Sequence, residues 1–266
     1  MSSSSPIENR VLVTRSSLAL GLRKASVAES DAVLVHTSLS RLGFVVGGAR
    51  TVIEALTDSV GKTGTIMMPT YSGELSDPAE WCAPAVPEEW IETIRNEMPP
   101  YEPRLTPTRR MGTIPELFRH VPGARRSPHP QSSFTAIGAA AIDLVDQHPL
   151  DYRFGPASPL GKLHAMGGKI LMLGAPPQSC SFFYLSQHRV PCVQITKSAP
   201  VTIEGRKTWI RYRDVDYPNY WFNDATRDLI EEGVIVESKI GNAPCLLMGA
   251  REAFNAVVAW RERHNV

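Results

Sequence analysis

The chain has 266 residues, 42% hydrophobic and 21% charged, a length and balance that suit a globular protein with a sizeable core. Lys+Arg 28 against Asp+Glu 27 leaves a formal charge of +1, which argues against a nucleic-acid-coating protein or an acidic tail. The four cysteines, Cys82, Cys180, Cys192 and Cys245, are scattered without a CxxC pair, so neither a disulfide framework nor a structural zinc site is expected.

Residues 1–9 carry no hydrophobic signal core and read as a short disordered lead. No apolar run reaches the roughly 18 residues of a membrane span, and a soluble, cytoplasmic chain is expected. Helical spacing of apolar positions covers residues 15–26, and AVLVH at 32–36 is a candidate buried strand. After the loop TSLSRLGFVVGG, an amphipathic helix over 51–61 ends at Gly61, and GTIMMP at 64–69 is a second strand. Strand, loop, helix and strand in this order form a βαβ-like unit. Residues 70–110 are rich in Pro, Glu and Trp, with one short helix expected at 88–97. A long irregular stretch inside a compact domain is uncommon and often functional.

Order returns with a helix over 113–121, Thr113 as N-cap and Glu116 three residues on. RRSPHPQSSFTAIG follows at 125–138. In it Pro128 and Pro130 stiffen the backbone around His129. A titratable group on a stiff turn suits a general base, and it equally suits a surface turn. SFTAIG is a candidate strand and AAAIDLVDQH a helix. SPLGKLHAM starts a helix with Ser158 as N-cap and Pro159 at the first helical position. KILMLG reads as a strand, SCSFFYLSQH as a helix, VTIEGRKTWIRYR as a hairpin about Gly205, and YWFNDATRDLIEEG as a helix. VIVES and PCLLMG are strands, and the chain closes on a helix. The fold class is α/β (α+β): one domain over 1–266, with a mixed β-sheet flanked by helices and a smaller irregular and helical lobe around 70–110.

Thr37, Ser38 and Ser40 follow a strand, where hydroxyls and backbone N–H groups can meet a phosphate or simply make turn bonds. Arg125 and Arg126 suit phosphate pairing or plain solvation. Ser158 is first a helix cap. Cys180, beside Phe182 and Phe183, reads more readily as core than as a nucleophile.

In order, LVHTSLSRLGFVVGGARTVIEAL, GTIMMPTYSG, PGARRSPHPQSSFTAIG, GPASPLGKLHAMGGKILMLGAP and IGNAPCLLMGAREAFNAVV resemble blocks of the aminoglycoside 3-N-acetyltransferase family, also called antibiotic N-acetyltransferases. This is not the common GNAT fold. The resemblance implies acetyl transfer from acetyl-CoA to an amine, classically on an aminoglycoside, without a metal. Its partners are a small-molecule amine and coenzyme A, with no nucleic acid and no membrane, and a homodimer is left open. It maps the family's catalytic histidine onto His129. The chemistry fits: an amine must be neutral to attack a thioester, and an imidazole titrates in the working range. Glu102, aligned with a family acidic residue, is the first candidate to orient His129, and Gln187 completes the expected catalytic set. Coenzyme A is expected against Thr37, Ser38, Leu39, Ser40, Arg126, Ser127, Ser133, Phe134 and Ser158. The acceptor is expected against Tyr71, Glu74, Asp77 and Tyr184.

One departure stands out. After LMLGAP the family carries a His and, three residues later, a Glu; counting from GAPP, Tyr184 and Gln187 occupy those positions. Gln accepts a hydrogen bond but brings no negative charge to a cationic substrate. The same transfer to a non-aminoglycoside amine, a non-catalytic coenzyme A binder, and an acyl-enzyme on Cys180 are therefore carried as alternatives.

Overall fold

The computed structural model describes residues 10–266, so the lead expected over 1–9 lies outside the described residues. Helix α1 (Arg15–Lys24) is closed by a capping box on Thr14, whose side chain accepts from Ser17 N–H while the Ser17 hydroxyl accepts from Thr14 N–H. Strand β2 (Ala32–Thr37) and β4 (Thr65–Pro69) run parallel, joined across α3 (Gly48–Val60). The βαβ unit is therefore present. Gly61 stops α3 at φ 68°, a backbone region that costs a side chain strain.

Beside β2 lies β7 (Lys169–Leu173), also parallel. These central strands are apolar almost throughout because helices cover both faces. Val33, Val35, Leu171 and Leu173 face a core shared with α1, α3 and α5 (Thr113–Phe118). Leu34, Ile170 and Met172 face a second core. That core holds α6 (Ala141–Val145), α7 (Pro159–Met166), α8 (Phe222–Glu231) and α9 (Ala250–His264).

Antiparallel strands extend the sheet on both sides, in the order β10 (Val236–Ile240), β11 (Ala243–Gly249), β7, β2, β4, β6 (Phe134–Gly138), β5 (Arg125–Arg126). A seven-stranded mixed sheet between helices is the expected class. Away from it, β8 (Gln194–Ile203) and β9 (Arg206–Val215) make a hairpin turning at Glu204 and Gly205, both at positive φ, as a two-residue turn requires. The short pair β1 (Leu12–Val13) and β3 (Phe44–Val45) runs parallel.

Three local expectations change. Gly112, not Thr113, holds the cap position of α5, and Glu116 accepts from Thr108 N–H (2.8 Å) while pairing Arg119 (2.6 Å). Ser158 holds the cap position of α7 with Pro159 first in the helix, as expected, but its side chain makes no cap bond. Ser181–Arg189 is a 3-10 helix instead of an α-helix. Its turn of about three residues puts positions three apart in line, so Tyr184 and Gln187 share one side. The 70–110 region carries one helix, α4 (Glu88–Glu97), as expected, plus a 3-10 turn at Pro78–Glu80. Among the described residues no helix is long and apolar enough to cross a membrane.

Candidate active site

Parallel β2 and β7 end together, with Thr37 opposite Leu173. In open α/β sheets the crevice beyond such strand ends is the usual ligand position. A cavity of about 920 Å³ opens there, lined by His36, Thr37, Ser38, Leu39 and Ser40 after β2, by Gly48 at the start of α3, and by Tyr71, Ser181 and Tyr184. Gly47 (φ 80°) and Gly48 (φ 61°) let the chain turn into α3, and a Cβ on Gly47 would meet the Thr51 hydroxyl at 2.5 Å. The N-terminal N–H groups of this 13-residue helix face an anion favourably. Arg10 and Arg110 are the cations of the lining, and Arg110 sits at φ 58°. A non-glycine residue held there costs about 1–3 kcal/mol unless its surroundings fix it. Among the described residues the lining includes no Asp or Glu.

A second cavity of about 350 Å³ is lined by Gly73, Ser76, Glu80, Gln131, Ser132, Arg153, Phe154, Lys197 and Tyr217, and shares Tyr71 and Tyr184 with the first. The Tyr71 hydroxyl donates to Ser181 Oγ at 2.7 Å, and burial pushes its phenol well above the ordinary range, so it keeps its proton. The Tyr184 ring stacks on Phe154 at 5.0 Å and 10°. Two aromatic residues thus form the threshold between a large cavity and a smaller one.

Two imidazoles lie near this threshold with different environments. His36 lines the first cavity, and its buried Nε2 has no partner among the described residues. Burial alone pushes it down to about 3, so it is neutral at ordinary pH. His129 is completely buried and is not among the residues lining the described cavities. Its Nδ1 accepts the backbone N–H groups of Gln131 (3.2 Å) and Ser132 (3.1 Å). An Nδ1 that accepts twice holds no proton, so neutral His129 carries its hydrogen on Nε2 and offers a donor there. Burial, then the neighbouring His148 and Arg153, hold it well below the usual histidine range. The two N–H bonds fix the HPQSS turn, which presents Gln131 and Ser132 to the second cavity.

The residues expected around His129 bond to the protein's own groups. Ser127 accepts from Phe134 N–H (2.9 Å), and its hydroxyl donates to His148 Nδ1 (3.0 Å), whose Nε2–H donates to the Arg153 carbonyl (2.7 Å). Arg126 reaches Ser133 Oγ, Pro103 O, Thr106 O, Thr70 O and Ser72 Oγ, tying the irregular lobe to β4 and β6. Phe134 is core. None of Arg126, Ser127, Ser133, Phe134 or Ser158 lines the first cavity, whereas Thr37, Ser38, Leu39 and Ser40 all do. Glu102 is exposed and accepts Arg104 N–H (3.2 Å); the amides of Gln131 and Ser132 hold His129 instead.

Of the acceptor residues, Tyr71 and Tyr184 meet at the threshold. Glu74 is half-buried, raised by burial and set near Arg109 and Arg126, but lines neither cavity. Asp77 caps the 3-10 turn and accepts twice from Arg95 Nη2, at 2.8 and 3.0 Å. Gln187 is buried and lines neither cavity. Cys180 is 1% exposed and its thiol is pushed up to about 12 by burial, which leaves little thiolate to act as a nucleophile. Sequence reasoning passed over His36, Arg110, Arg153 and Lys197. Only His36 had a signal, standing inside the quoted VHTSL block; the others depend on which loops the fold brings together.

The model for the aminoglycoside 3-N-acetyltransferase family matches residues 34–262. The SPbeta prophage-derived aminoglycoside N(3')-acetyltransferase-like protein YokD of Bacillus subtilis (strain 168) is 42% identical over 250 residues, covering 93% of this chain and 90% of its own. Its crystal structure superposes at TM-score 0.93, with 40% identity and coverage of 95% and 94%. Aminoglycoside N(3)-acetyltransferase VIII of Streptomyces fradiae is 37% identical over 270 residues, covering 94% of this chain and 92% of its own. A structure titled AAC-IIIb binary with CoASH matches at TM-score 0.86 and 31% identity, covering 95% of this chain and 97% of that one.

Proposed function

The chain belongs to the aminoglycoside 3-N-acetyltransferase family, and from that premise we propose that it transfers acetyl from acetyl-CoA to a small-molecule amine, without a metal, by direct attack in a ternary complex. The observation that carries this reading is the pair of cavities meeting at Tyr71 and Tyr184. Coenzyme A takes the first cavity, its phosphates toward Arg10, Arg110 and the start of α3. A relative of the same fold is titled as a complex with CoASH. The amine enters from the second cavity.

The amine arrives as the free base. Its nitrogen forms the C–N bond, the thioester C–S bond breaks, and the nitrogen's proton leaves as its acidity rises during attack. His36 is the proposed base, because it lines the acetyl-CoA cavity and its Nε2 has no partner among the described residues; burial makes the ring a weak base, so it takes the proton only once the forming C–N bond has made the nitrogen strongly acidic. The proton then passes to the departing sulfur, giving free coenzyme A thiol. Tyr71, which keeps its proton, is the proposed donor to the developing oxyanion, turning its one O–H away from Ser181 Oγ to do so. His129 is proposed as a positioning residue that fixes Gln131 and Ser132.

The relatives' names support an aminoglycoside acceptor, and turnover of one would make this a resistance enzyme. A second reading, the same transfer to another amine, is favoured by Tyr184, which lines both cavities at the position where the family has a His. The test is thiol release from acetyl-CoA over a panel of aminoglycosides and simpler amines. Turnover of any member at a rate that falls about 100-fold or more in His36→Gln supports the proposal. Saturable coenzyme A binding with no turnover of any amine would replace it with a binding function.

A further inference from the structure

An aminoglycoside carries several positive charges, and moving them into a cavity is costly unless carboxylates meet them. Among the described residues no Asp or Glu lines the first cavity. In the second the only carboxylate among them is Glu80, paired with Lys197 Nζ at 2.8 Å. Asp77 and Glu92, in the neighbouring cavity under α4, both face Arg95, at 2.8 and 3.7 Å. Asp214 is fully buried behind the second cavity, paired with Arg153 at 2.6 Å. Each of these carboxylates thus has a cation of its own, and Glu74, which makes no ion pair among the described residues, lines neither cavity.

The cations are differently placed. Arg153 Nη1 is bound to Asp214, but Nε and Nη2 have no partner among the described residues. Its guanidinium is held over the rings of Tyr217 (4.7 Å) and Phe154 (5.3 Å), so it is presented to the cavity in one orientation. A planar guanidinium with free N–H groups matches the two oxygens of a carboxylate or phosphate. Lys197 lines the same cavity in an exposed pair with Glu80 that opens at little cost for an anion and equally for an ammonium, so the free guanidinium edge of Arg153 sets the preference. Ser76 and Ser132 add hydroxyls to the lining.

From this lining we infer that the acceptor is an amine whose body also carries a carboxylate or phosphate, bound by Arg153 and Lys197, and not a polycationic aminoglycoside. The inference rests on the amine-transfer reading for the identity of the bound molecule as acceptor, but the binding preference can be measured separately.

The test uses the full chain loaded with coenzyme A and two matched pairs, glucosamine 6-phosphate against glucosamine and phosphoethanolamine against ethanolamine, with kanamycin as the polycation. Calorimetry measures binding, and thiol release from acetyl-CoA measures turnover. The phosphorylated member of at least one pair is expected to bind about tenfold or more tighter than its neutral twin and than kanamycin. In Lys197→Glu, a substitution at a partly exposed strand position, that preference is expected to shrink several-fold and kanamycin binding to rise. Kanamycin binding tighter than both phosphorylated amines, or no preference in either pair, overturns the inference. A preference that persists without any thiol release leaves the anion site standing and removes the transferase reading. Arg153→Lys, which keeps the charge beside Asp214 but loses the fork, is expected to lose several-fold of the preference and stay folded. An unchanged preference in a folded Arg153→Lys would also count against the assignment.

Discussion

The two cavities that meet at Tyr71 and Tyr184 are built in opposite ways. The first rests on the ends of β2 and β7 and on the start of α3, regular elements whose backbone fixes the ligand position. The second is assembled from the 73–80 turn, the HPQSS turn, the 153–154 loop and the β8–β9 hairpin. A cavity of strand ends has little freedom to change its ligand. A cavity of loops changes its lining with single substitutions, and here Arg153 and Lys197 stand in it while Gln187 lies outside. The comparison predicts a family property in the first cavity, coenzyme A binding, and an individual one in the second, acceptor choice.

Variants at the two sites should separate along that line. The largest expected effect on stability is at the second cavity. Arg153→Met leaves Asp214 buried and unpaired and should cost about 3–5 kcal/mol in urea unfolding. An effect below about 1 kcal/mol would mean that Asp214 is protonated in the native state. Next, acid should unfold the protein through its buried histidines. His36 is held at about 3, His148 at about 4 and His129 well below 6.5. All three are neutral when folded and bind protons when unfolded, so their contribution is complete above pH 6.5 and is lost as pH falls below it. His36 and His148 should each remove about 2 kcal/mol between pH 6.5 and 4.5, with His129 acting in the same direction, read as a falling urea midpoint. A flat midpoint over that range would contradict the burial of these rings.

At the first cavity, Arg110→Ala should weaken coenzyme A binding about tenfold while leaving kcat at saturation unchanged, because phosphate contacts lie far from the reacting carbon. If kcat falls and Kd does not, Arg110 acts on the chemistry. The smallest effect is Lys197→Ala, which breaks only an exposed ion pair and should change stability by less than about 1 kcal/mol. Calorimetric unfolding checks it.

The same division explains what the sequence disclosed. The sheet was legible because AVLVH, GTIMMP and KILMLG are short apolar runs bounded by turn residues, which suits strands buried on both faces, and Gly61 ends the helix between the first two. The LVHTSLSRLG block led to Thr37, Ser38, Leu39 and Ser40, which line the first cavity, because strand end and loop are adjacent in the chain. The RRSPHP block was legible as a stiff turn but not as to which way its ring faces. His129 turns inward, because two amides of its own loop bind Nδ1, and Arg126 turns to carbonyls of the lobe instead of toward a phosphate. Arg153 and Lys197 gave no signal at all, being 44 residues apart in chain numbering and brought together only by the hairpin. The 3-10 geometry of 181–189 was equally hidden, since the apolar residues there suit either helix.

The central claim is that His36, which lines the first cavity, handles the proton and that His129, which lines neither cavity, holds the turn. Steady-state thiol release from acetyl-CoA should be measured for His36→Asn and His129→Asn, each first shown folded by calorimetry. Asn at 129 keeps an oxygen for the two amides, so kcat is expected to fall by less than about tenfold, whereas His36→Asn should lose about 100-fold or more. A His129→Asn enzyme that is folded and inactive, beside a His36→Asn enzyme near wild-type rate, would contradict the account and return the proton to His129.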